Sequence, residues 1–185
     1  TPATKDQDEK LPLHIPVKVG LLDARGSDLP LILSTGEASG EQSDSCRVLH
    51  LRETEQTFVF DQVEEAPVPS LLRGFSAPVK LNFAYDQEQL LHLMSHDSDG
   101  FNRWDAGQRL AVDAIKVMVK QFEAGQVPEL DNTLVEAYRS LFNGGLSAAI
   151  LAEMLVLPSE AYLGEQYEVV PVDGIHACRK LARKT

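Results

Sequence analysis

The hydrophobic pattern of this chain changes period near Tyr85, and that change limits what it can fold into. Before it, Leu13, Ile15, Val17, Val19 and Leu21 alternate with His14, Lys18 and Gly20. Period two over nine positions is a strand with one buried face. After it, Phe101, Trp104, Ala111, Ile115, Met118 and Phe122 follow one another at steps of three and four residues or their sums, along one helical face. A β region is therefore expected first and an α region second. A length of 185 residues holds one full domain or two small ones.

In the first region, Pro16 falls on the outward phase of its strand, which suits an edge or a bulge because proline cannot donate to a ladder. Asp23-Ala24-Arg25-Gly26 reads as a turn. Residues 29–33 form a candidate return strand, and residues 34–45, rich in Ser, Gly and Glu, a mobile surface loop. Further strands are expected at 47–51 and 57–63, with Phe58, Phe60 and Val63 in the core, and at 79–83, where Val79, Leu81 and Phe83 alternate with Lys80 and Asn82. Between the last two, Pro67 and Pro69 hold an extended crossing with Leu71, Leu72 and Phe75 tucked beneath it. Short strands separated by turns predict an antiparallel sandwich.

In the second region, a short helix is expected at 86–96. A long one follows, capped by Asp97 or Asp99 and ended by Gly125 and Pro128. Asn132 or Thr133 opens a third, carrying Leu134, Tyr138, Leu141 and Phe142 and stopped by Gly144 and Gly145. Another runs over 147–157 to Pro158, and Asp173 caps a last one carrying Ile175, Cys178 and Leu181. Short amphipathic helices with brief breaks are the pattern of stacked pairs, the start of an α-solenoid.

Charge narrows the partners. A formal net charge of -11 argues against nucleic acid, which needs a basic face, and against an anionic membrane surface. No apolar run approaches the length of a membrane span. Cys46 and Cys178 are too few and too far apart for a disulfide framework, so they read as buried or half-buried free thiols in a reducing, cytoplasmic setting. The opening TPATKDQDEK lacks the apolar stretch of a signal peptide, and a start at Thr1 implies a piece cut from something larger.

His92 and His96 have the i, i+4 spacing of a zinc-binding helix, but Leu93 stands where the H-E-x-x-H motif has its general base. Asp97 and Asp99 read as helix caps rather than a third ligand. Asp97-Ser98-Asp99-Gly100 lacks the ligand series of a calcium loop. No Ser or Cys is set with a base and an orienting acid. The Gly144-Gly145 pair lacks the flanks of a phosphate loop, Trp104 reads as core packing, and Glu64-Glu65 beside Pro67-Val68-Pro69 reads as a solvated crossover. No catalytic, cofactor-binding or metal-ligating residue is assigned.

The segment EQTFVFDQVEEAPVPSLLRGFSAPVKLNF, residues 55–83, together with PLHIPVKVGLLD before it and FNRWDAGQRL after it, resembles the bacterial aminopeptidase N family, the zinc alanyl aminopeptidases. The likeness is traceable through LAEMLVLPSE and covers essentially the whole chain. It implies that residues 1–85 form the family's immunoglobulin-like sandwich, lacking its first strand, and residues 86–185 the start of its superhelical domain. It also implies that the family's zinc motif, distal Glu ligand, G-x-M-E-N motif and catalytic Tyr belong to a catalytic domain with no counterpart here. The chain is then expected to be an inactive spacer and scaffold. Its partner would be the parent's own catalytic domain, with peptide substrates and zinc belonging to the parent. A piece of this kind exposes apolar surface and self-associates. The competing expectation is an independent interaction module, a sandwich with a helical-repeat tail and capped ends.

Overall fold

Five short strands precede six helices in a computed structural model that describes residues 5, 12–35, 45–142 and 146–185. The chain divides into two compact units: Thr1–Ala84 with His96–Asn102, and Tyr85–Ser95 with Arg103–Thr185.

In the first unit, β1 (Ile15–Leu22), β2 (Ile32–Thr35), β3 (Arg47–Leu51), β4 (Val59–Asp61) and β5 (Val68–Leu71) make two small sheets, ordered β3-β1-β5 and β2-β4, with every pair antiparallel. Pro16 lies opposite His50, in the half of β1 paired with β3; β5 pairs only from Val19 onward. Beside Pro16, Lys18 N donates to Ser76 Oγ at 2.9 Å rather than to a strand. Alternation sends Val19, Leu21, Leu31 and Leu49 into one apolar cluster, with Leu33, Phe58, Phe60 and Val63 packed against it, so both sheets share a core. The 23–26 turn closes on the Asp23 carboxylate, whose Oδ1 accepts from Arg25 N and Ser27 N at 2.8 Å each, with Gly26 at φ 84.

Two expectations are corrected. The proline-bearing crossing contains a strand, β5: Pro69 sits on an edge strand with one neighbour, where its missing N–H is tolerated. The strand expected at 79–83 does not form. Val79 N bonds Ala77 O at 2.8 Å in a tight turn, and the alternation that follows pairs with no strand among the described residues. The resulting sheets of three and two strands fall short of the full sandwich expected. Residues 36–44 of the expected loop lie outside the described residues.

The helices are α1 (Gln87–His96), α2 (Gly100–Glu123), α3 (Asn132–Leu141), α4 (Ala148–Met154), α5 (Glu160–Gly164) and α6 (Val172–Ala182). Asp86 and Gln89 cap α1 reciprocally, Gln89 N to Asp86 Oδ1 at 2.8 Å and Asp86 N to Gln89 Oε1 at 3.1 Å. Gly125, at φ 71, ends α2 in a Schellman turn: Gln126 N bonds Gln121 O and Gly125 N bonds Phe122 O. Asp131, Ser147 and Ser159 cap α3, α4 and α5 through their side chains. Asp173 does not cap α6; Pro171 stands at that position and Asp173 lies within the first turn. The short α5 has no counterpart in the sequence reading.

Ala111, Ile115 and Met118 of α2 are buried as the periodicity requires, but Phe101 and Phe122 at the ends of the stripe are exposed. The second unit's core gathers Ile115, Met118 and Val119 from α2, Leu163 from α5, and Ile175 and Cys178 from α6. Gly144 and Gly145 lie outside the described residues. Cys46 and Cys178 are both buried and free. Among the described residues no helix is long and apolar enough to cross a membrane.

Candidate functional sites

The most elaborate polar cluster belongs to the first unit and centres on Arg73. Leaving β5, the chain makes a 3-10 turn at Arg73–Phe75 in which Leu72, Gly74 and Phe75 all have positive φ, at 58, 62 and 52. For Leu72 and Phe75 that conformation costs on the order of 1 kcal/mol each and needs surrounding structure to hold it. Arg73 supplies that structure. Its Nη2 donates to Asp28 Oδ1 at 2.5 Å and to Asp97 Oδ1 at 3.0 Å, and its Nε to Ser70 Oγ at 2.8 Å. Ser98 Oγ donates to Asp28 Oδ2 at 2.6 Å, and Asn102 Nδ2 to Ser70 Oγ and Leu71 O. Asp99 bonds two ways, Oδ2 accepting from Gly74 N and Oδ1 from Asn102 N at the start of α2.

The Arg73 and Asp97 side chains are 4% and 0% exposed, while Asp28 keeps 20%. Burial pushes the Asp97 carboxyl above its ordinary range, against the Ser70 hydroxyl, the Asp99 N–H and the Arg73 charge. Its Oδ2 is buried with no hydrogen-bond partner among the described residues. Burial opposes ionisation of Asp28 too, but hydrogen bonds from Arg73 and Ser98 outweigh it and hold that carboxyl below its usual value. For Arg73, burial is outweighed by Asp28 and Asp97, which raise its pKa. Two carboxylates and the Ser70 hydroxyl around one guanidinium clamp the 72–75 turn.

The other candidates are dispersed. His92 is half-buried and belongs to the second unit; His96 is exposed, belongs to the first, and packs over Gly26. Asp97 is held by Arg73, and Asp99 caps α2 as the sequence reading allowed. These residues do not fit a zinc centre, and no chemical step is assigned to one. Among the described residues no group of three His, Cys, Asp or Glu is arranged to hold a metal ion. Glu64 and Glu65 are exposed and Trp104 is half-buried. The Arg73 cluster escapes a sequence reading because its partners lie 24 and 45 residues away. The one local hint is an arginine set directly after Leu71-Leu72 and before Gly74.

In the second unit, a groove of about 480 Å³ opens among α2, α3 and α6, lined by Ile115, Leu134, Tyr138 and Phe142, with Arg139 and Arg179 among its polar groups. Arg179 Nε is tied to Pro158 O at 2.6 Å. The groove is apolar and offers no acid–base pair. Tyr138 OH donates to Gly107 O at 3.5 Å, and burial pushes its phenol up to about 12. A phenol whose folded pKa lies above its unfolded value favours the fold below about 10, and that stability is lost as pH rises from 10 towards 12. In an alkaline titration followed at 295 nm, the last of the tyrosines to ionise before unfolding is expected to be Tyr138, and Tyr138→Phe should remove that step alone.

A β unit followed by stacked helices is also what family comparison finds. Residues 1–84 match the family described as "Domain of unknown function (DUF3458) Ig-like fold". Residues 87–185 match "Domain of unknown function (DUF3458_C) ARM repeats". The chain is thus an immunoglobulin-like region followed by an armadillo-repeat helical region. It is 40% identical to Aminopeptidase N of Escherichia coli over its whole length and 37% identical to that of Haemophilus influenzae over 97% of it. Among solved structures, it is similar to the crystal structure of Legionella pneumophila aminopeptidase A in complex with aspartic acid, with a TM-score of 0.67 and 28% identity over 91% of this chain. The chain belongs to the aminopeptidase N family. It spans 21% and 20% of the two Aminopeptidase N sequences and 18% of the Legionella chain.

Proposed function

We propose that this chain is a non-catalytic part of a larger zinc aminopeptidase that removes N-terminal residues from peptides. Within it, an immunoglobulin-like sandwich, ending near Tyr85, is the spacer that carries the first helices of a superhelical domain and holds that domain against the catalytic one. The observation that carries this reading is a match to Aminopeptidase N along the entire chain while only a fifth of that relative is matched. The partner is then intramolecular, the parent's own catalytic domain, and zinc and substrate peptides belong there. The working compartment is the cytoplasm, where thiols such as Cys46 and Cys178 stay reduced.

The test measures zinc content and hydrolysis of an alanyl chromogenic substrate by the purified chain, alone and mixed with the remainder of an aminopeptidase N polypeptide. We expect no turnover alone and recovered turnover in the mixture. Stoichiometric zinc with turnover by the chain alone overturns the non-catalytic reading. A chain that neither binds nor activates the remainder is an independent interaction module instead.

A further inference from the structure

His14 and His50 meet on the first unit's three-stranded sheet in a way that the aminopeptidase reading does not use. Pro16 pairs with His50 across β1 and β3, and His14 stands two positions before Pro16. Side chains two apart on a strand share a face, so His14 and His50 are diagonal cross-strand neighbours within reach of each other. Their ring nitrogens, His14 Nε2 and His50 Nδ1, are 2.7 Å apart, and the ring centroids are 4.9 Å apart at an interplanar angle of 49°. His14 is exposed and His50 half-buried, so solvent reaches the pair.

We propose that this pair is a bis-imidazole site for a divalent transition-metal ion of tetragonal preference, Cu2+ or Ni2+, bound in two cis positions with water in the others. The spacing selects the geometry. Two nitrogens about 2.0 Å from a metal stand about 2.8 Å apart at a right angle and about 3.3 Å apart at a tetrahedral angle. The observed 2.7 Å matches the right angle and leaves tetrahedral Zn2+ needing a larger opening. At a right angle the ring centroids, each about 3.1 Å from the metal, would stand about 4.4 Å apart, so the exposed His14 ring tilts in from the 4.9 Å of the hydrogen-bonded pair as the metal replaces the shared proton.

Without metal, one imidazole N–H donates to the other ring's lone pair. On binding, that proton passes through solvent to the second nitrogen of its own ring, leaving two neutral imidazoles whose lone pairs form the two new metal–nitrogen bonds. Two metal-bound waters leave. The divalent charge is unchanged, and no oxidant or reductant is involved. Two protein ligands fall short of a structural metal centre, so the affinity follows the Irving–Williams order, with Cu2+ tighter than Ni2+.

The test titrates Ni2+ alone into the whole chain by calorimetry, with His14→Ala, His50→Ala and His176→Ala compared, and records the electron paramagnetic resonance spectrum with one equivalent of Cu2+. His176 is the control because it pairs with Glu160 on α5 rather than with another imidazole. The expected result is one saturable Ni2+ equivalent in the micromolar range, weakened at least about tenfold by either of the first two substitutions and unchanged by the third, with two equatorial nitrogens in the Cu2+ spectrum. Binding retained in both His14→Ala and His50→Ala, no saturable Ni2+ binding, or a wild-type spectrum with fewer than two nitrogen ligands overturns the proposal. Two nitrogens in the wild-type spectrum count for this pair only where His14→Ala and His50→Ala each lower the number, which separates it from His92 and His96 on α1.

Discussion

Arg73→Ala is expected to destabilise the first unit by about 3–5 kcal/mol at neutral pH, because removing one partner of a buried ion pair leaves the other charge uncompensated. Arg73 is 4% exposed and faces two carboxylates, of which Asp97 is wholly buried. The loss should be asymmetric across the cluster. Asp97→Asn removes a buried charge that is already disfavoured, leaves an oxygen to accept from Arg73, and keeps the Arg73–Asp28 pair. It should cost about 1–3 kcal/mol, because the new amide NH2 takes the place of the unpartnered Oδ2 and is buried without an acceptor among the described residues. Hydrogen exchange of the β1 amides, read as protection against global opening, gives both numbers.

The pH dependence has a definite sign. The folded pKa of Asp97 lies above its unfolded value, so its ionised form weakens the fold as pH rises through the folded value, and that penalty disappears below the unfolded one. The folded pKa of Asp28 lies below its unfolded value, so its contribution is present above the unfolded value and lost as pH falls through the folded one. In wild type the two tendencies oppose each other. In Arg73→Ala both carboxylates lose their counter-charge, so protonating them relieves the variant while costing wild type the Asp28 contribution. The stability gap should therefore narrow as pH falls from 7 towards about 4, where the variant's uncompensated carboxylates take up protons, and narrow further below about 4, where wild type loses the Asp28 contribution. A gap that stays constant, or an Asp97→Asn cost equal to that of Arg73→Ala, would falsify the account of Arg73 as the charge that makes this cluster tolerable.

How much of this was legible in the sequence follows the range of the interactions. Strand β3 falls at residues 47–51, where alternation puts it, and α2 ends at Gly125 because positive φ there is a local demand. Alternation alone misleads at 79–83, where Val79, Leu81 and Phe83 keep period two but pair with no strand among the described residues. It also misses β5, where Pro69 within the strand and Pro67 just before it read as a crossing until the edge position of the strand is known. The exposure of Phe101 and Phe122 shows the same limit, since a helical stripe is buried only as far as neighbouring elements cover it. The five-residue α5 is too short for periodicity and is marked only by its Ser159 cap. The Arg73 cluster joins three separate stretches of chain, around Asp28, Ser70–Arg73 and Asp97–Asn102, and no short window of sequence contains it.

Gly20→Ala is the second large effect expected, and it tests the same cluster from the opposite side. Gly20 lies mid-strand in β1, opposite Ser70, on the phase that alternates with the core residues Val19 and Leu21. A glycine inside a strand weakens it and marks a close approach by another group. Here that group is the Arg73 guanidinium: a Cβ on Gly20 would overlap its Cζ and Nη1 and stand 2.5 Å from its Nε. The far end of an arginine ordinarily swings aside at little cost. This one is fastened to Asp28, Asp97 and Ser70, so a displacement large enough to admit a methyl group breaks some of those bonds within a buried site. The expected destabilisation is about 2–4 kcal/mol, combining overpacking with unsatisfied buried polar groups. In an Arg73→Ala background the obstructing group is gone and alanine suits a strand better than glycine, so the same substitution should change stability by no more than about 0.5 kcal/mol. The two substitutions should therefore be non-additive by about 2 kcal/mol or more in a double-mutant cycle. Additive effects would mean that the absence of a side chain at position 20 serves something other than the guanidinium stacked over it.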